Sequence, residues 1–214
     1  DIKHITSITV ENIILVAQNK NITKIVSANL PIKVSKSCKL HIFRPENGTE
    51  ENYAIEIGTP DRSVPVLCRI HSACFTGDLL GSLKCDCGAQ LNKALEQMGK
   101  EKNGVLLYLN QEGRGIGLTN KMRAYALQNQ GFDTVEANHR LGFEDEERDF
   151  EIAASILKSL GFDSTRLLTN NPKKMEMMNR SGIKVVERIS LNVGKTVENT
   201  KYLATKVKKS GHFS

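Results

Sequence analysis

The sequence predicts an α+β fold, a mixed α/β arrangement in one domain with a β-rich amino-terminal part followed by alternating strands and helices. Two observations lead to this prediction. Up to residue 60, short segments rich in Ile and Val are separated by Asn, Pro and Gly, which is typical of consecutive strands. From Val64 onward, strand-like apolar runs alternate with segments whose apolar residues recur at helical spacing. A chain of 214 residues is long enough to bury one sizeable core.

The β-rich part contains several short runs dominated by β-branched residues, which favour strands. Turn-forming residues set the boundaries between these runs. The predicted strands are Ile5–Val10, Ile13–Ala17, Lys24–Ser27, Lys39–Phe43 and Tyr53–Ile57.

The alternating part begins with a strand at Val64–Ile70 and a helix at Gly88–Met98, whose apolar residues share one face. Asn171 followed by Pro172 predicts another helix start, since Asn is a favoured N-cap and Pro a favoured first residue. The other predicted elements are a strand at Gly104–Leu109, a helix at Leu118–Gln130 ended by Gly131, a helix through Phe150, Ala153, Ala154 and Leu157 ended by Gly161, and strands at Arg166–Thr169 and Ile183–Glu187.

The composition indicates a soluble globular protein, with 39% hydrophobic and 25% charged residues. No apolar run approaches the ~18–20 residues that a membrane span needs, so no membrane association is expected. The five cysteines are an odd number, and two of them form Cys85-Asp86-Cys87. This pattern suits a metal in a reducing compartment better than a disulfide scaffold, so we expect a cytoplasmic protein.

The net charge of +6 is concentrated at the carboxyl-terminal end of the chain. Residues 195–214 hold five lysines and one glutamate, which accounts for four of the six net charges. A solvated basic tail explains this excess. The rest of the chain lacks the interleaved basic and aromatic residues of a strand-binding groove, so no nucleic acid is expected as a partner.

The spacing Cys74-x10-Cys85-x-Cys87 is the strongest local signal for chemistry. Three thiolates can hold a tetrahedral zinc ion and leave its fourth position to water, whose pKa then falls to about 7. A structural zinc site and ordinary free thiols are the alternatives that the spacing leaves open. Cys68 lies within a strand pattern and is expected in the core.

Three further segments carry candidate functional residues, and in the first of them backbone N–H groups and Arg114 could contact an anion. The glycine-rich loop Gln111–Gly117 follows a predicted strand and precedes a helix, although a plain turn would also need its glycines. Asn138-His-Arg140 and the acidic stretch 144–149 could equally form a charged helix start. In Thr169–Lys174, the cap explains Asn171, while the Thr and Lys side chains could also hold phosphate.

Taken together, these segments resemble the GTP cyclohydrolase II family. The resemblance runs from about Asn29 to Gly211, in order and with compatible spacing. The matching segments are Arg69-Ile-His-Ser72, Cys74-Phe-Thr-Gly-Asp78, Ser82-Leu-Lys-Cys-Asp-Cys-Gly88, Gln111-Glu-Gly-Arg114, Asp133-Thr-Val-Glu-Ala-Asn-His139, Leu141-Gly-Phe143, Glu147-Arg-Asp149 and Leu168-Thr-Asn-Asn-Pro-Lys-Lys174.

The resemblance implies that Cys74, Cys85 and Cys87 hold one zinc ion per chain. It also implies that GTP is the substrate, with Mg²⁺ accompanying the triphosphate. A carboxylate such as Glu112 can accept two hydrogen bonds from the guanine edge, and Lys174 suits a triphosphate. The residues implied to bind the nucleotide are Arg69, Ile70, His71, Ser72, Ala73, Gln90, Glu112, Gly113, Arg114, Thr134, Thr169 and Lys174.

The implied reaction opens the imidazole ring of guanine and releases formate and pyrophosphate. Its product is 2,5-diamino-6-(5-phosphoribosylamino)pyrimidin-4-one, and it is the first step of riboflavin biosynthesis. The implied catalytic residues are Tyr125, which positions water or substrate, Glu146 as general base, and Arg148, which acts at the α-phosphorus. On the residues alone, Arg148 could instead form an ion pair at a helix start with Asp145 or Asp149.

Two residues depart from the family pattern. Ala73 stands where the family commonly has Glu, and Glu146 stands where it usually has Asp. These departures leave open a regulatory copy that binds GTP and zinc with little turnover. The basic tail leaves open a third interpretation, a zinc-stabilised nucleic-acid binder.

The resemblance also divides the chain. It places the catalytic domain, with its basic C-terminal tail, at residues 27–214 and leaves residues 1–26 as an N-terminal extension or the remnant of a longer chain. Some relatives carry an N-terminal domain resembling dihydroxybutanone phosphate synthase, and residues 1–26 are too few to form it. The dimers of the family imply a homodimer.

Overall fold

The computed structural model describes residues 22–144 and 148–213. The predicted strands Ile5–Val10 and Ile13–Ala17 and the predicted general base Glu146 lie outside these ranges. The described strands are β1 (Ile22–Asn29), β2 (Cys38–Pro45), β3 (Asn52–Gly58), β4 (Val66–Ser72), β5 (Asn103–Leu109), β6 (Ser164–Leu168) and β7 (Lys184–Ile189). The described helices are α1 (Cys87–Glu101), α2 (Gly117–Gln128), α3 (Thr134–Arg140), α4 (Glu151–Ser159), α5 (Pro172–Arg180) and α6 (Thr200–Ser210), with short helical turns at Phe75–Leu79 and Glu112–Gly115.

The described strands form one mixed sheet, in the order β1-β2-β3-β5-β4-β6-β7. The pairs β1–β2, β2–β3 and β3–β5 are antiparallel. The pairs β5–β4, β4–β6 and β6–β7 are parallel. The predicted α+β class is therefore confirmed. In the parallel half, the carboxyl ends of β4, β5 and β6 meet at one edge of the sheet, where α/β proteins commonly bind ligands. The segments leaving these ends carry Cys74, Glu112 and Thr169.

Alternation along the strands places a hydrophobic core on each face of the sheet. In β4, Cys68 packs with α4 and α5 on one face, which confirms its predicted core position. Its neighbour Leu67 points to the opposite face and packs with Ala94 and Met98 of α1. Because β4 is covered on both sides, its backbone is held rigidly between the two layers.

Several element boundaries differ from the prediction by a few residues. The predicted strand at Val64 begins at Val66, because Pro65 cannot donate to a strand ladder. Helix α2 ends at Gln128 and α4 begins at Glu151, so the acidic stretch 144–149 precedes α4. Helix α3 was not predicted, although Asp133 and Glu136 form a capping box at its start.

The basic end of the chain differs most from the prediction. A solvated tail was expected over residues 195–214, but Thr200–Ser210 forms helix α6. Lys206 of this helix donates a hydrogen bond to the buried carboxylate of Asp86, and Lys209 pairs with Asp133. The lysines therefore face specific carboxylates of the domain. None of the described helices is both long and apolar enough to cross a membrane.

Candidate active site

The three predicted zinc ligands come together at the carboxyl end of β4. Cys74 follows this strand, and Cys85 and Cys87 lie at the start of α1. The three Sγ atoms lie within 4.8 Å of one another, and those of Cys74 and Cys85 are 3.7 Å apart. Thiolates around a tetrahedral zinc ion, with Zn–S bonds of about 2.3 Å, are separated by about 3.8 Å. The Cys74–Cys85 separation matches this value, and the three thiols lie close enough together to hold one zinc ion.

The backbone beside the thiols leaves no room for larger side chains. A Cβ atom added to Gly77 would lie 2.8 Å from the Cys85 Sγ and 3.1 Å from the Cys74 Sγ. A Cβ atom added to Gly88 would lie 2.2 Å from the Gly77 carbonyl oxygen. The two glycines thus allow the turn after Cys74 to close against the start of α1, which is what brings the thiols together.

Replacing Gly77 with alanine is expected to open the thiol cluster. The added methyl group overlaps two sulfur atoms and can be accommodated only if the turn moves away from Cys85. We expect zinc affinity to fall about tenfold or more, as for other changes beside metal ligands. Competition with a chromogenic chelator measures this affinity. Gly81→Ala is the control, because a Cβ there meets no atom within 4 Å and its positive φ of 65° imposes backbone strain without reaching the thiols. Equal zinc affinity in both variants would contradict the role assigned to Gly77.

The thiols differ in how readily they ionise. Hydrogen bonds from Cys85 and Cys87, together with the charge of Lys121, hold the pKa of the Cys74 thiol well below its ordinary value. The pKa values of Cys85 and Cys87 are raised, first because of their hydrogen bonds with Cys74. The protein alone therefore favours one thiolate in the cluster. Three thiolates together would require the further positive charge of a divalent cation.

Lys121 links the thiols to the glycine-rich loop. Its Nζ lies 3.1 Å from the Cys74 Sγ and 2.9 Å from Glu112 Oε1. Burial disfavours the charged form, but the Cys74 thiolate and the Glu112 carboxylate outweigh it and raise the pKa of Lys121. Glu112 also accepts hydrogen bonds from the backbone N–H groups of Phe75, at 2.6 Å, and Gly113, at 2.8 Å. The carboxylate thereby fastens the loop to the segment that follows Cys74.

The Asp78 carboxylate fixes the other side of the same segment. It accepts hydrogen bonds from the Cys74 backbone N–H, the Tyr108 hydroxyl and the His71 Nε2, each at 3.0 Å. Burial lowers the pKa of His71, so its ring is neutral and carries its proton on Nε2 toward Asp78. The Nδ1 atom of His71 is therefore an acceptor, buried without a hydrogen-bond partner among the described residues.

A cleft with two lobes adjoins these groups. The first lobe, here called the thiol lobe, is lined by the three cysteines, Glu112, Lys121, Tyr125 and Thr134. The second, here called the cationic lobe, is lined by Arg69, Gln90, Thr169, Lys174, Lys206 and His212. Both lobes share Ser72, Cys87, Arg114, Arg148 and Tyr202. The lobes are thus adjacent parts of one site.

The cationic lobe carries a strong positive charge. It is lined by the guanidinium groups of Arg69, Arg114 and Arg148 and by the ammonium groups of Lys174 and Lys206, while none of its described lining residues is a carboxylate. Burial, followed by the positive charges of Lys206, Lys174, Arg148 and Arg114, lowers the pKa of His212 to about 3. A group this close to so many cations stays neutral at physiological pH. The lobe therefore favours a multiply charged anion such as a polyphosphate.

The glycine-rich loop adopts a conformation that few side chains tolerate. Gly113 and Arg114 both have φ of 64°, in the left-handed region. For Arg114 this conformation costs free energy, which proteins commonly retain where a side chain must face a ligand. Arg114 lines both lobes of the cleft.

The structure brings most of the predicted site residues to this cleft. Ile70 is the exception among the described ones, because its side chain is buried in the core and only its carbonyl oxygen faces the site, accepting a hydrogen bond from Lys174 at 2.8 Å. The predicted residues that line the cleft are Arg69, His71, Ser72, Ala73, Cys74, Cys85, Cys87, Gln90, Glu112, Gly113, Arg114, Tyr125, Thr134, Arg148, Thr169 and Lys174.

Sequence reasoning missed several residues that line the cleft. Lys121 had no distinguishing signal, since it is one of several basic residues around α2. Tyr202, Lys206 and His212 were assigned to a solvated tail. The aromatic and His residues among these lysines were the available signal, because Tyr and His are more often partly buried than the residues of a solvated tail.

Comparison with known proteins identifies the family. A family model described as GTP cyclohydrolase II matches residues 23–190. The chain is similar to GTP cyclohydrolase-2 from Enterobacter sp. (strain 638), with 50% identity over 89% of this chain and 96% of the relative. The enzyme of that name from Actinobacillus succinogenes is 52% identical over 90% of this chain and 88% of the relative. A relative of the same name from Azospirillum brasilense is 48% identical over 91% of this chain, which spans only 50% of that protein's length. The chain therefore belongs to the GTP cyclohydrolase II family of enzymes.

Proposed function

We propose that this chain is a zinc-dependent enzyme that hydrolyses GTP in riboflavin biosynthesis. The reaction opens the imidazole ring of guanine, releases formate and pyrophosphate, and yields 2,5-diamino-6-(5-phosphoribosylamino)pyrimidin-4-one. The observation that carries the proposal is the cleft itself, in which a cluster of three thiols adjoins a cationic lobe. One nucleotide can place its base in the first lobe and its phosphates in the second.

The residues of the thiol lobe suit a metal-assisted hydrolysis. Zinc bound by Cys74, Cys85 and Cys87 supplies a Lewis acid that makes water nucleophilic at neutral pH. Tyr125 lines the same lobe. Burial is the main reason that the pKa of its hydroxyl is raised to about 12. Its hydroxyl thus keeps its proton at neutral pH and can donate a hydrogen bond to substrate or water.

The residues of the cationic lobe suit the triphosphate. Lys174, Arg69 and Arg148 provide positive charge at its walls. The Thr169 hydroxyl is buried and accepts a hydrogen bond from the Asn171 backbone N–H at 3.0 Å, which leaves its own proton available to a phosphate oxygen. Mg²⁺ bound to the triphosphate would complete the charge balance.

Formate and pyrophosphate release from GTP tests the proposed function. Both products and the zinc content should be measured on the same purified sample, with ATP as the control substrate. We expect formate and pyrophosphate in equal amounts from GTP and neither from ATP. A sample that contains stoichiometric zinc and releases neither product from GTP would contradict the proposal.

That negative outcome would favour a second candidate, a regulatory copy that binds GTP and zinc with little turnover. The specific observation behind it is Ala73, which lines the thiol lobe where the family commonly has a carboxylate. The Ala73 methyl group can neither accept a proton nor orient water. Tight GTP binding without product release would establish this alternative.

Glu112 is proposed to recognise the guanine base. Its carboxylate has about four acceptor sites, of which Lys121, Gly113 and Phe75 use three. One site remains, so this arrangement accommodates one of the two hydrogen bonds that the sequence predicted from the guanine edge. The exocyclic amine of guanine is a donor that could occupy this site, and inosine lacks that amine.

Replacing Glu112 with glutamine is expected to reduce the preference for GTP over ITP. The amide places donors where Glu112 now accepts hydrogen bonds, at a cost of about 1–3 kcal/mol, or roughly tenfold to hundredfold in kcat/KM for GTP. ITP should lose less, because it never made the contact. Kinetics with both nucleotides measure the ratio, at equal zinc content. A GTP-to-ITP ratio unchanged by the substitution would move base recognition to another residue.

The proposed function also carries an expectation for the oligomeric state and the cellular location of the protein. We expect a homodimer in the cytoplasm, with GTP as its small-molecule partner. Nucleic-acid binding is not expected, because Lys206 and Lys209 of the basic end face Asp86 and Asp133.

A further inference from the structure

Helix α6 reaches the cleft although it lies outside the segment that matches the family model, residues 23–190. Tyr202 lies at the border of the two lobes, and Lys206 lines the cationic lobe. His212, just beyond the helix, lines the cationic lobe as well. The end of the chain therefore forms one wall of the proposed substrate site.

Lys206 begins a continuous series of hydrogen bonds that runs from helix α6 through Asp86 and Gln90 to Arg69. Its Nζ donates to Asp86 Oδ1 at 2.6 Å, with only 13% of the Lys206 side chain and 6% of the Asp86 side chain exposed. Asp86 Oδ2 accepts from Gln90 Nε2, also at 2.6 Å. Gln90 Oε1 then accepts from an Arg69 Nη atom at 2.5 Å, and the other Nη of Arg69 donates to the Leu168 carbonyl oxygen at 2.9 Å.

Asp86 sets the order of donors and acceptors in this series, and Lys206 holds Asp86. Lys206 occupies one oxygen of Asp86 and leaves the other to Gln90. A carboxylate can only accept, so the Gln90 amide must turn its NH₂ group toward Asp86 and its oxygen toward Arg69. The orientation of Gln90 and of the Arg69 guanidinium thus follows from the position of the Asp86 carboxylate, which the ion pair with Lys206 holds.

The charges of Arg69, Asp86 and Lys206 also link the two ends of this series. Arg69 is buried, and this burial lowers the pKa of its guanidinium to about 10, against the opposing effect of the nearby Asp86 carboxylate. Asp86 in turn is buried, and Lys206 is its cationic partner. Among the described residues, removing Lys206 would leave Gln90 as the side-chain partner of Asp86, with the Asp86 charge no longer balanced by this ion pair.

Helix α6 depends on polar contacts of this kind for its position. None of the described residues of α6 is fully buried, so little apolar packing holds the helix on the domain. The ion pairs of Lys206 with Asp86 and of Lys209 with Asp133 attach it. Beyond the helix, the Phe213 backbone N–H donates to the Asn170 carbonyl oxygen at 2.9 Å.

We propose that Lys206 is a positioning residue for substrate binding, which acts through Asp86 to orient Gln90 and Arg69 toward the phosphates. This inference rests on the proposed function, because it assigns Gln90 and Arg69 to the nucleotide. It adds a residue outside the matched family segment to the machinery of the cleft.

Lys206→Met tests the proposal, with Lys208→Met as the matched control, since Lys208 is an exposed lysine of the same helix. We expect the KM for GTP to rise about tenfold or more in Lys206→Met, the loss expected for one hydrogen bond to a charged group, with a smaller change in kcat. Lys206→Arg should restore most of the affinity, because it returns a cation to Asp86. Zinc content should be the same in all three variants and the parent.

Hydrogen exchange provides a measurement that does not depend on turnover. In the nucleotide-free protein, amides at the start of α1 should exchange faster in Lys206→Met than in the parent and in Lys208→Met. Lys206→Met that matches Lys208→Met in both KM and exchange would overturn the proposal. A KM that rises equally in Lys206→Met and Lys206→Arg would also overturn it.

The two proposals can fail separately. If the parent protein releases no formate or pyrophosphate, the proposed function fails, and calorimetry with inorganic pyrophosphate then replaces the KM measurement. Pyrophosphate binding that weakens in Lys206→Met and recovers in Lys206→Arg would still support the positioning role. Unchanged pyrophosphate binding would overturn it.

Discussion

Replacing Cys85 with serine is expected to remove most of the zinc and to abolish formate release. A serine hydroxyl does not ionise at neutral pH, so the cluster retains two thiolates instead of three. Structural zinc sites with four ligands bind with about 10–16 kcal/mol, so losing one ligand removes roughly 3 kcal/mol and lowers affinity about a hundredfold. Metal analysis after dialysis against a weak chelator measures the loss, together with formate release from GTP.

Cys38→Ser is the matched control for this variant. Cys38 is also a buried cysteine, at the start of β2, and lies outside the thiol cluster. Its replacement should lower stability slightly and leave zinc content unchanged. If Cys85→Ser keeps stoichiometric zinc and full activity, the assignment of the ligands is wrong.

Replacing Arg148 with alanine is expected to abolish pyrophosphate release and normal turnover. Its guanidinium lines both lobes, 5.1 Å from the centre of the Phe150 ring, which places it between the thiols and the other cations. Removing a charged group aimed at a reacting phosphate costs about 100-fold or more in rate. Arg148→Lys should recover little activity, because lysine lacks the planar fork of donors. Quantifying pyrophosphate and zinc in each variant measures the effect.

Arg140→Ala is the control, since Arg140 also lies over an aromatic ring, that of Phe132, at 4.0 Å and outside the cleft. Zinc content should remain unchanged in all three variants. The competing interpretation makes Arg148 one member of an exposed ion pair at the start of α4. Such a pair contributes only about 0–1 kcal/mol, so pyrophosphate release would then stay near normal. Near-normal release from Arg148→Ala would exclude the catalytic role.

Much of the fold could be predicted because its signals are local. Short segments containing Ile and other apolar residues, bounded by turn-forming residues, marked β2 and β3. Asn171 with Pro172 marked the start of α5, where the Asn171 side chain accepts a hydrogen bond from the Lys173 backbone N–H. The spacing of the cysteines likewise indicated a metal site, because all three lie close together in the chain. Local spacing is sufficient where the interacting residues are near neighbours.

The rest of the site could not be predicted because its contacts are distant in sequence. Lys206 and Asp86 are separated by 120 positions, and the composition around Lys206 resembles that of a solvated tail. Lys121 and Cys74 are 47 positions apart, and nothing in the sequence distinguishes Lys121 from other lysines. The role of a single lysine is set by the carboxylate or thiolate that the fold places beside it.

The position of β4 between β5 and β6 has a consequence for the order of folding. The three cysteines are close in sequence, whereas β6 joins β4 through contacts such as Thr165 with Val66, 99 positions apart. Closing long loops costs more entropy and slows folding, so the thiol cluster can assemble before the cationic lobe. A chain still emerging from the ribosome could therefore capture a metal ion before it can hold a nucleotide.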